Sequence, residues 1–465
     1  MNIGINSVKD IKVAYIGGGS RGWAWKFMAD LALEPTMSGD IYLYDIDEKA
    51  SKNNEIIGNI ITNKSSIGKW KYKSVNNIEV ALKDANFVII SILPGTFDEM
   101  YSDVHEPEKL GVYQSVGDTT GPGGIIRALR TIPLYVEFAK LIEKICPSAW
   151  VINYTNPMTL CVKTLYETFP RIKAIGCCHE VFGTQKLLAQ MCKEFLGVKE
   201  INRNEINVKV MGINHFTWLK EASYKGQDLF PMYKKFVDTY YESGYEEEDK
   251  NWLNSHFDSA NRVKFDLFKK YGYIAAAGDR HLAEFMPNTE YLKDEDTIKS
   301  WMFSLTTVDW RKKDLQVRLE KSRKLANGED EVDLEASGEE GVLIMKALLG
   351  IKPLLSNVIM RNTGQISNLS IGTIVETNAY FSKDKIETVD VGAIPEKVLE
   401  LIVPHIEVIN YVYEAAIKQD KNIVVKAFLA DPMFNSKCKD EEKTKNLVEV
   451  MLGNTKKYLP KEWKI

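Results

Sequence analysis

The chain has 465 residues, 45% apolar and 27% charged, and 60 basic against 64 acidic side chains leave a net charge of −4. This is the balance of an ordinary globular protein with room for two or three packed units, and it argues against a general nucleic-acid binder. The first ten residues hold no apolar signal core, the apolar run 87–93 is too short to cross a bilayer, and six scattered cysteines form no C-x-x-C pair, so no membrane or nucleic-acid partner, zinc ribbon or disulfide framework is expected and a cytoplasmic protein is.

Val13, Ala14, Tyr15 and Ile16 form an unbroken apolar run, the pattern of a parallel strand buried on both faces. Gly17, Gly19 and Gly22 follow at G-x-G-x-x-G spacing, which permits a tight turn, close backbone approach to a pyrophosphate, and close helix–strand packing. A helix is expected over 24–33, with its first amides facing the phosphates. A second strand, 41–44, ends at Asp45, 26 residues past Gly19. An acid at an offset of about 20 accepts from a ribose 2′-OH and repels a 2′-phosphate. The stretch reads as an NAD site with Gly17, Gly19, Ser20, Arg21 and Asp45 as cofactor-binding candidates; a structural turn is the bland alternative.

Helices over 48–61 and 78–83 and strands at 73–75 and 87–93 continue the alternation of a doubly wound sheet, whose ligands sit at the carboxyl ends of its strands. The glycine-rich loop 114–124, with a helix expected from about Ile125, is either a flexible connection or a cover over cofactor and substrate that offers Asp118 to a sugar hydroxyl. The strand 149–152 runs into Asn153-Tyr154-Thr155-Asn156-Pro157, where Asn153 and Asn156 are substrate candidates or turn formers. Another strand, 172–175, leads to Gly176-Cys177-Cys178-His179-Glu180 and a helix over 181–195, and a strand-like 206–212 leads to Asn214-His215. Cys178 and His215, both at strand ends, can hold a divalent ion if water or substrate oxygens complete the shell. The bland alternatives are a buried thiol and a core histidine, and a thiolate ligand favours zinc or iron over manganese.

Beyond residue 220 the pattern changes. The segment 231–256 resists assignment, a helix is expected over 261–270, and 275–284 sets small residues against the charges of Asp279, Arg280, His281 and Glu284. Asp266 can be a helical ion pair with Arg262 or Lys270, Tyr271 plain core, and Arg280 either a fork for a carboxylate or a salt bridge to Glu284. An acidic connection over 328–340, an antiparallel pair at 373–381 and 386–389, and helices over 342–349, 396–419 and 441–452 complete the chain. The fold class is α/β: a Rossmann-like doubly wound N-terminal domain over 1–200, and a mixed α+β C-terminal domain over 201–465 for substrate, metal and oligomer contacts.

Taken in order, Gly17-Gly18-Gly19-Ser20, Gly121-Pro122-Gly123-Gly124, Thr155-Asn156-Pro157, Cys178-His179-Glu180, Gly212-Ile213-Asn214-His215 and the pair Asp266 and Tyr271 resemble glycoside hydrolase family 4, an NAD-dependent exception to two-carboxylate glycosidase chemistry. Ser115-Val116-Gly117-Asp118, Gly176 to Gly183 and Ala276 to His281 are most similar to its bacterial α-galacturonidase branch. The resemblance implies NAD, a divalent ion such as Mn²⁺ on Cys178 and His215, and a small α-linked galacturonide as substrate. It implies oxidation at C3, loss of the C2 proton to Tyr271 (or Tyr273), departure of the glycosidic oxygen with a proton from Asp266, water addition at C1 and re-reduction. Arg280, with His281, is the candidate for the C6 carboxylate, and a homo-oligomer is expected. An α-glucosidase or α-galactosidase on unphosphorylated sugars, an NAD-dependent 2-hydroxyacid dehydrogenase and a non-catalytic NAD-binding regulator are the alternatives.

Overall fold

In a computed structural model, which describes residues 2–4, 7–246, 251–331 and 334–463, the run 13–16 forms the centre of a large sheet. Val13 and Tyr15 pack into a core on one face, Ala14 and Ile16 into a core on the other, so every residue of the run is buried. The strands are β1 (Asn2–Gly4), β2 (Ser7–Ile16), β3 (Met37–Tyr44), β4 (Lys69–Val75), β5 (Phe87–Ile90), β6 (Trp150–Asn153) and β7 (Lys173–Gly176). They lie in the order β4-β3-β2-β5-β6-β7, all parallel, with β1 antiparallel to β2. The direction of winding reverses between β2 and β5, the switch point where such sheets bind ligands.

β8 (Ile206–Ile213), β9 (Phe216–Tyr224), β10 (Gln227–Asp228) and β11 (Ile274–Ala275) form a small antiparallel sheet. β12 (Leu354–Arg361), β13 (Ile374–Ser382) and β14 (Lys385–Thr388) then return to the large sheet and continue it antiparallel beyond β7. Both halves of the chain therefore contribute to one sheet. A Rossmann-like unit joined to mixed α+β structure is the expected class, and the pair at 373–389 forms as expected, closing through Ser382 and Lys385.

The differences are local. The strand expected over 87–93 stops at Ile90, and the helix expected from about Ile125 starts at Gly121 and runs to Ile145. The helix Val308–Asn327 was not anticipated because it buries only Val308, Ser322 and Leu325 and so carries no apolar stripe. Of the acidic run, residues 332 and 333 lie outside the described residues. Among the described residues no helix is long and apolar enough to cross a membrane.

The start of the helix Gly121–Ile145 is tied to the C-terminal helices by Asp431. Its Oδ2 accepts from the Gly121 amide at 3.2 Å and the Thr120 hydroxyl at 3.4 Å, and its Oδ1 from the Phe434 amide at 2.9 Å. Burial, partly offset by these donors, pushes its carboxyl up to about 6. An acid raised in the folded state contributes fully below its unfolded value of about 4, and that contribution is lost as pH rises through the folded value. Asp431→Asn is therefore expected to gain stability relative to the unaltered protein between about pH 4 and 7. Urea midpoints across that range read the difference, and a constant gap would rule out Asp431 as the titrating group.

Candidate active site

The turn after β2 has the shape its glycines suggest. Gly17 has φ +89°, and a Cβ there would fall 2.0 Å from the Ser91 carbonyl oxygen. The Gly19 amide donates to Asp45 Oδ2 at 2.8 Å, and a Cβ on Gly19 would meet Asp45 and Ala50. Ser20 closes the turn onto the Gly17 carbonyl, and Arg21 pairs with Asp47 at 2.9 Å. This cradle, open only because side chains are missing, fits a pyrophosphate at the start of the helix Trp23–Ala32. Past it, Trp23 stacks on Tyr154 at 5.6 Å and lies 5.7 Å from the His179 ring.

At the carboxyl ends of the strands a second cluster forms. Asp118 on the loop before the helix Gly121–Ile145, His215 in the turn between β8 and β9, and His281 on the helix Asp279–Phe285 bring ligand atoms within 4.8 Å of one another. The two imidazoles lie 4.1 Å apart. The Thr119 hydroxyl donates to Asp118 Oδ1 at 2.8 Å and meets His215 Nδ1 at 3.0 Å. With its proton given to Asp118, Thr119 accepts from Nδ1–H, which leaves the Nε2 lone pair of His215 for a ligand. Burial, then the neighbouring His281, pushes His215 down to about 3, so the ring is neutral. Burial opposes ionisation of Asp118, but Arg127, His281, His215 and Arg311 outweigh it and hold the carboxyl well below the usual range. Neutral imidazoles beside an ionised carboxylate are the donor set of a hard or borderline divalent ion, manganese included.

The surroundings hold these groups. Glu180 accepts from the Gly278 amide at 2.8 Å and lies 3.8 Å from both His179 and His281. Burial opposes its charge, yet His281, His179 and His215 bring it down to about 2. Glu284 receives the Val116 and Gly117 amides at 2.7 and 2.8 Å and so fixes the loop that carries Asp118. Several buried polar atoms have no partner here: Asn156 Oδ1, Asn214 Oδ1, Arg280 Nε, His281 Nδ1 and Glu284 Oε2. Buried polar groups are nearly always satisfied, so such a concentration marks the place of a ligand.

Of the candidates read from sequence, Asp118, Asn156, His215, Arg280 and His281 converge. Asn156 reaches Asp118 at 3.4 Å. His281 stands with His215 rather than serving Arg280. Cys178 lies outside the trio; burial keeps its thiol well above its ordinary range, and the Asn214 amide lies against it. Asn153 is a correction: its Oδ1 accepts from Tyr135 at 2.5 Å and from the Thr155 amide at 3.2 Å, and its Nδ2 donates back to Thr155, so it closes the turn instead of facing the cluster.

Asp266 and Tyr271 stand apart from this cluster, in surroundings of their own. Asp266 accepts from Tyr241 at 2.7 Å and Tyr291 at 2.5 Å and pairs with Lys270 at 2.8 Å. Burial is outweighed by these partners, and the carboxyl is lowered. Tyr271 packs against Trp218, and burial followed by Glu290 raises its phenol. Lys264, two residues before Asp266 and about 200° around the helix, is buried as well, on the side of Asp279 and Glu180. It is 3% exposed, donates to Thr184 at 3.0 Å, and burial lowers its proton affinity beside Asp279 and Glu180.

Sequence reading also missed Glu376, which had no signal beyond its place in an apolar strand. On β13 it accepts from Asn214 at 3.1 Å and from Asn357 at 2.7 Å; Asn357 in turn donates to the Cys178 carbonyl at 3.2 Å. One carboxylate thus supports the backbone at both Cys178 and His215. Glu376→Ala is expected to strand both amides and lower stability by about 1–3 kcal/mol. Glu376→Gln, which keeps an acceptor, loses less; equal losses by denaturant titration would mean that packing, not hydrogen bonding, sets the value.

The sequence model described as family 4 glycosyl hydrolase matches residues 12–194, and that of the family 4 glycosyl hydrolase C-terminal domain matches 210–434. An alpha-galacturonidase of Lachnoclostridium phytofermentans is 59% identical over 460 residues, 98% of each chain. The crystal structure of putative glucosidase lplD from Bacillus subtilis superposes with a TM-score of 0.91 at 48% identity, covering 96% of this chain and 100% of that one. A 6-phospho-alpha-glucosidase from gut microorganisms, in complex with NAD and Mn²⁺, shares the fold at a TM-score of 0.79 and 19% identity, covering 97% of this chain and 99% of that one. With both family models matched across most of its length, and with the glycine cradle and the histidine cluster in one structure, this chain belongs to family 4 of the glycosyl hydrolases.

Proposed function

We propose that the protein hydrolyses α-linked galacturonides, with NAD and a divalent ion, Mn²⁺ foremost, as resident cofactors. The observation that carries this is the neutral His215 imidazole, its Nδ1 tied to Thr119, beside ionised Asp118 and next to His281. The activity named for the 59% identical relative supplies the substrate class. When bound, NAD takes hydride from C3 of the sugar and returns it later, while the ion polarises the oxygens at C2 and C3.

The chain's own residues do the rest. Gly17, Gly19 and Ser20 admit the pyrophosphate and Asp45 accepts from the ribose, with Arg21 steadying the loop through Asp47. Asp118, His215 and His281 hold the ion, with Cys178 in reserve behind Asn214. Asn156 offers its unpartnered Oδ1 to a sugar hydroxyl. Asp266, as acid for the departing oxygen, and Tyr271 (or Tyr273), as base at C2, stay the assigned proton-transfer pair, and Lys264, a buried amine of lowered proton affinity beside Glu180, is a further base to be tested. The six free, buried cysteines support a cytoplasmic location. Exposed Val403 and Ile417 on the helix Glu396–Lys418 support a homo-oligomer. The division into an NAD unit over 1–200 and a substrate unit over 201–465 follows the same reading.

The test is α-linked digalacturonic acid with NAD⁺, Mn²⁺ and a thiol reductant in D₂O, followed by NMR. Cleavage with deuterium at C2 of the released sugar and no net NADH is expected, and chelation of the ion stops it. Net NADH without cleavage would favour a dehydrogenase. Lys264→Met should slow C2 exchange by about 10²–10⁴-fold, and full exchange in that variant would remove Lys264 from the mechanism.

A further inference from the structure

Two arginines near Asp118, the buried Arg280 and the partly exposed Arg311, have no carboxylate bound to them. Among the described residues, no carboxylate oxygen lies within 4.0 Å of Arg127, Arg280 or Arg311, whereas Arg130, one turn beyond Arg127, holds Asp103 at 2.5 Å. Arg127 has Asp118 as its principal opposite charge and donates to the Asn156 carbonyl at 3.1 Å. Arg311 draws on the same Asp118, so one ionised carboxylate serves both, and Arg280 has no such match. After burial, the largest influence on Arg280 is the like charge of Arg311.

Both guanidiniums converge on one residue. Arg280 Nη2 donates to the Thr306 hydroxyl, and Arg311 Nε donates to the Thr306 carbonyl at 3.4 Å. Arg311 Nη2 donates to the Val116 carbonyl at 3.1 Å, two residues from Asp118. Arg280 is 7% exposed, its Nε has no partner, and its guanidinium lies 5.3 Å from the Phe257 ring centroid. Neutral carbonyl and hydroxyl groups satisfy some donors of the two forks, but they do not neutralise two adjacent positive charges. Asp118 and Glu284 act on both guanidiniums, but Glu284 turns its bonded oxygen to the backbone amides, and burial pushes it up to about 7.

We propose that Arg280 and Arg311 together form the subsite for a carboxylate of the substrate. The planar fork of each guanidinium matches a carboxylate, and a single anion placed between them relieves their mutual repulsion. Resting on the uronide reading above, this assigns the C6 carboxylate to a pair of arginines, one of them on the helix Val308–Asn327, and makes that pair the element that selects uronides over neutral sugars.

The experiment is calorimetric titration of the NAD- and Mn²⁺-loaded enzyme with galacturonate and with galactose. Arg311→Met, a change in the first turn of a mostly exposed helix, is expected to weaken galacturonate about 10- to 100-fold and to leave galactose within about twofold. Arg311→Lys keeps the charge without the fork and should fall between. NAD affinity serves as the control for folding. Equal weakening of both sugars, or none, would overturn the subsite. If the unaltered enzyme binds the two sugars equally, the uronide reading itself fails; if it prefers galacturonate and Arg311→Met keeps that preference, only the arginine pair fails.

Discussion

Charge held out of water at the carboxyl ends of the parallel strands is the constraint on which the rest depends. Arg127, Lys264, Arg280 and Glu284 are each less than 9% exposed, and the partly exposed Asp118 and Glu180 stand among them. Isolated charges at such a place are costly, and each is tolerated only because a neighbour is fixed against it. Glu284 holds the Asp118 loop by two amides, Gly278 holds Glu180, and Asp279 takes the Val263 and Lys264 amides at 3.2 and 3.0 Å. The cluster is therefore built by elements far apart in sequence, and a scaffold that joins them has to come first.

That scaffold explains why the large sheet runs on past β7. β12 and β13 place Asn357 and Glu376 behind the ends of β7 and β8, where one carboxylate meets the two amides that support Cys178 and His215. Asn378, two residues along β13, accepts the Val210 amide at 2.8 Å and pins the small sheet to the large one. Groups prearranged in this way need no reorganisation when charge develops on a ligand, and in a water-poor site each is worth more than in solvent.

The sequence was legible where local backbone sets the chemistry. Gly17, Gly19 and Asp45 lie within one β-α-β unit, where the turn brings the Gly19 amide onto Asp45 as their spacing suggests. Asp118, Asn156 and His215 were readable because they terminate strands or glycine-rich loops. For Asp266 and Tyr271 a motif gives positions along a helix but not their surroundings: Asp266 is tied to Tyr241, Tyr291 and Lys270, and Lys264 on the same helix is buried beside Asp279 and Glu180. Arg311 was invisible for another reason: the helix that carries it is mostly exposed and reads as a solvated charge run, although its first turn lies against Val116. Glu284 was legible only as one charge of the 275–284 cluster or a partner for Arg280, because its actual partners are backbone amides distant in sequence, and Glu376, held by two asparagines, gave no signal.

Selection between sugars follows from the same imbalance. A neutral hexose brought to Arg280 and Arg311 offers a hydroxymethyl group, which leaves both charges unmatched once water is displaced, and unmatched charge is penalised more than a matched one is rewarded. A phosphorylated sugar brings a dianion, but the ionised Asp118 stands beside the arginines and opposes the second charge. A single carboxylate avoids both penalties. Recognition on this reading comes less from contacts added for the right sugar than from guanidiniums that no carboxylate binds until it arrives.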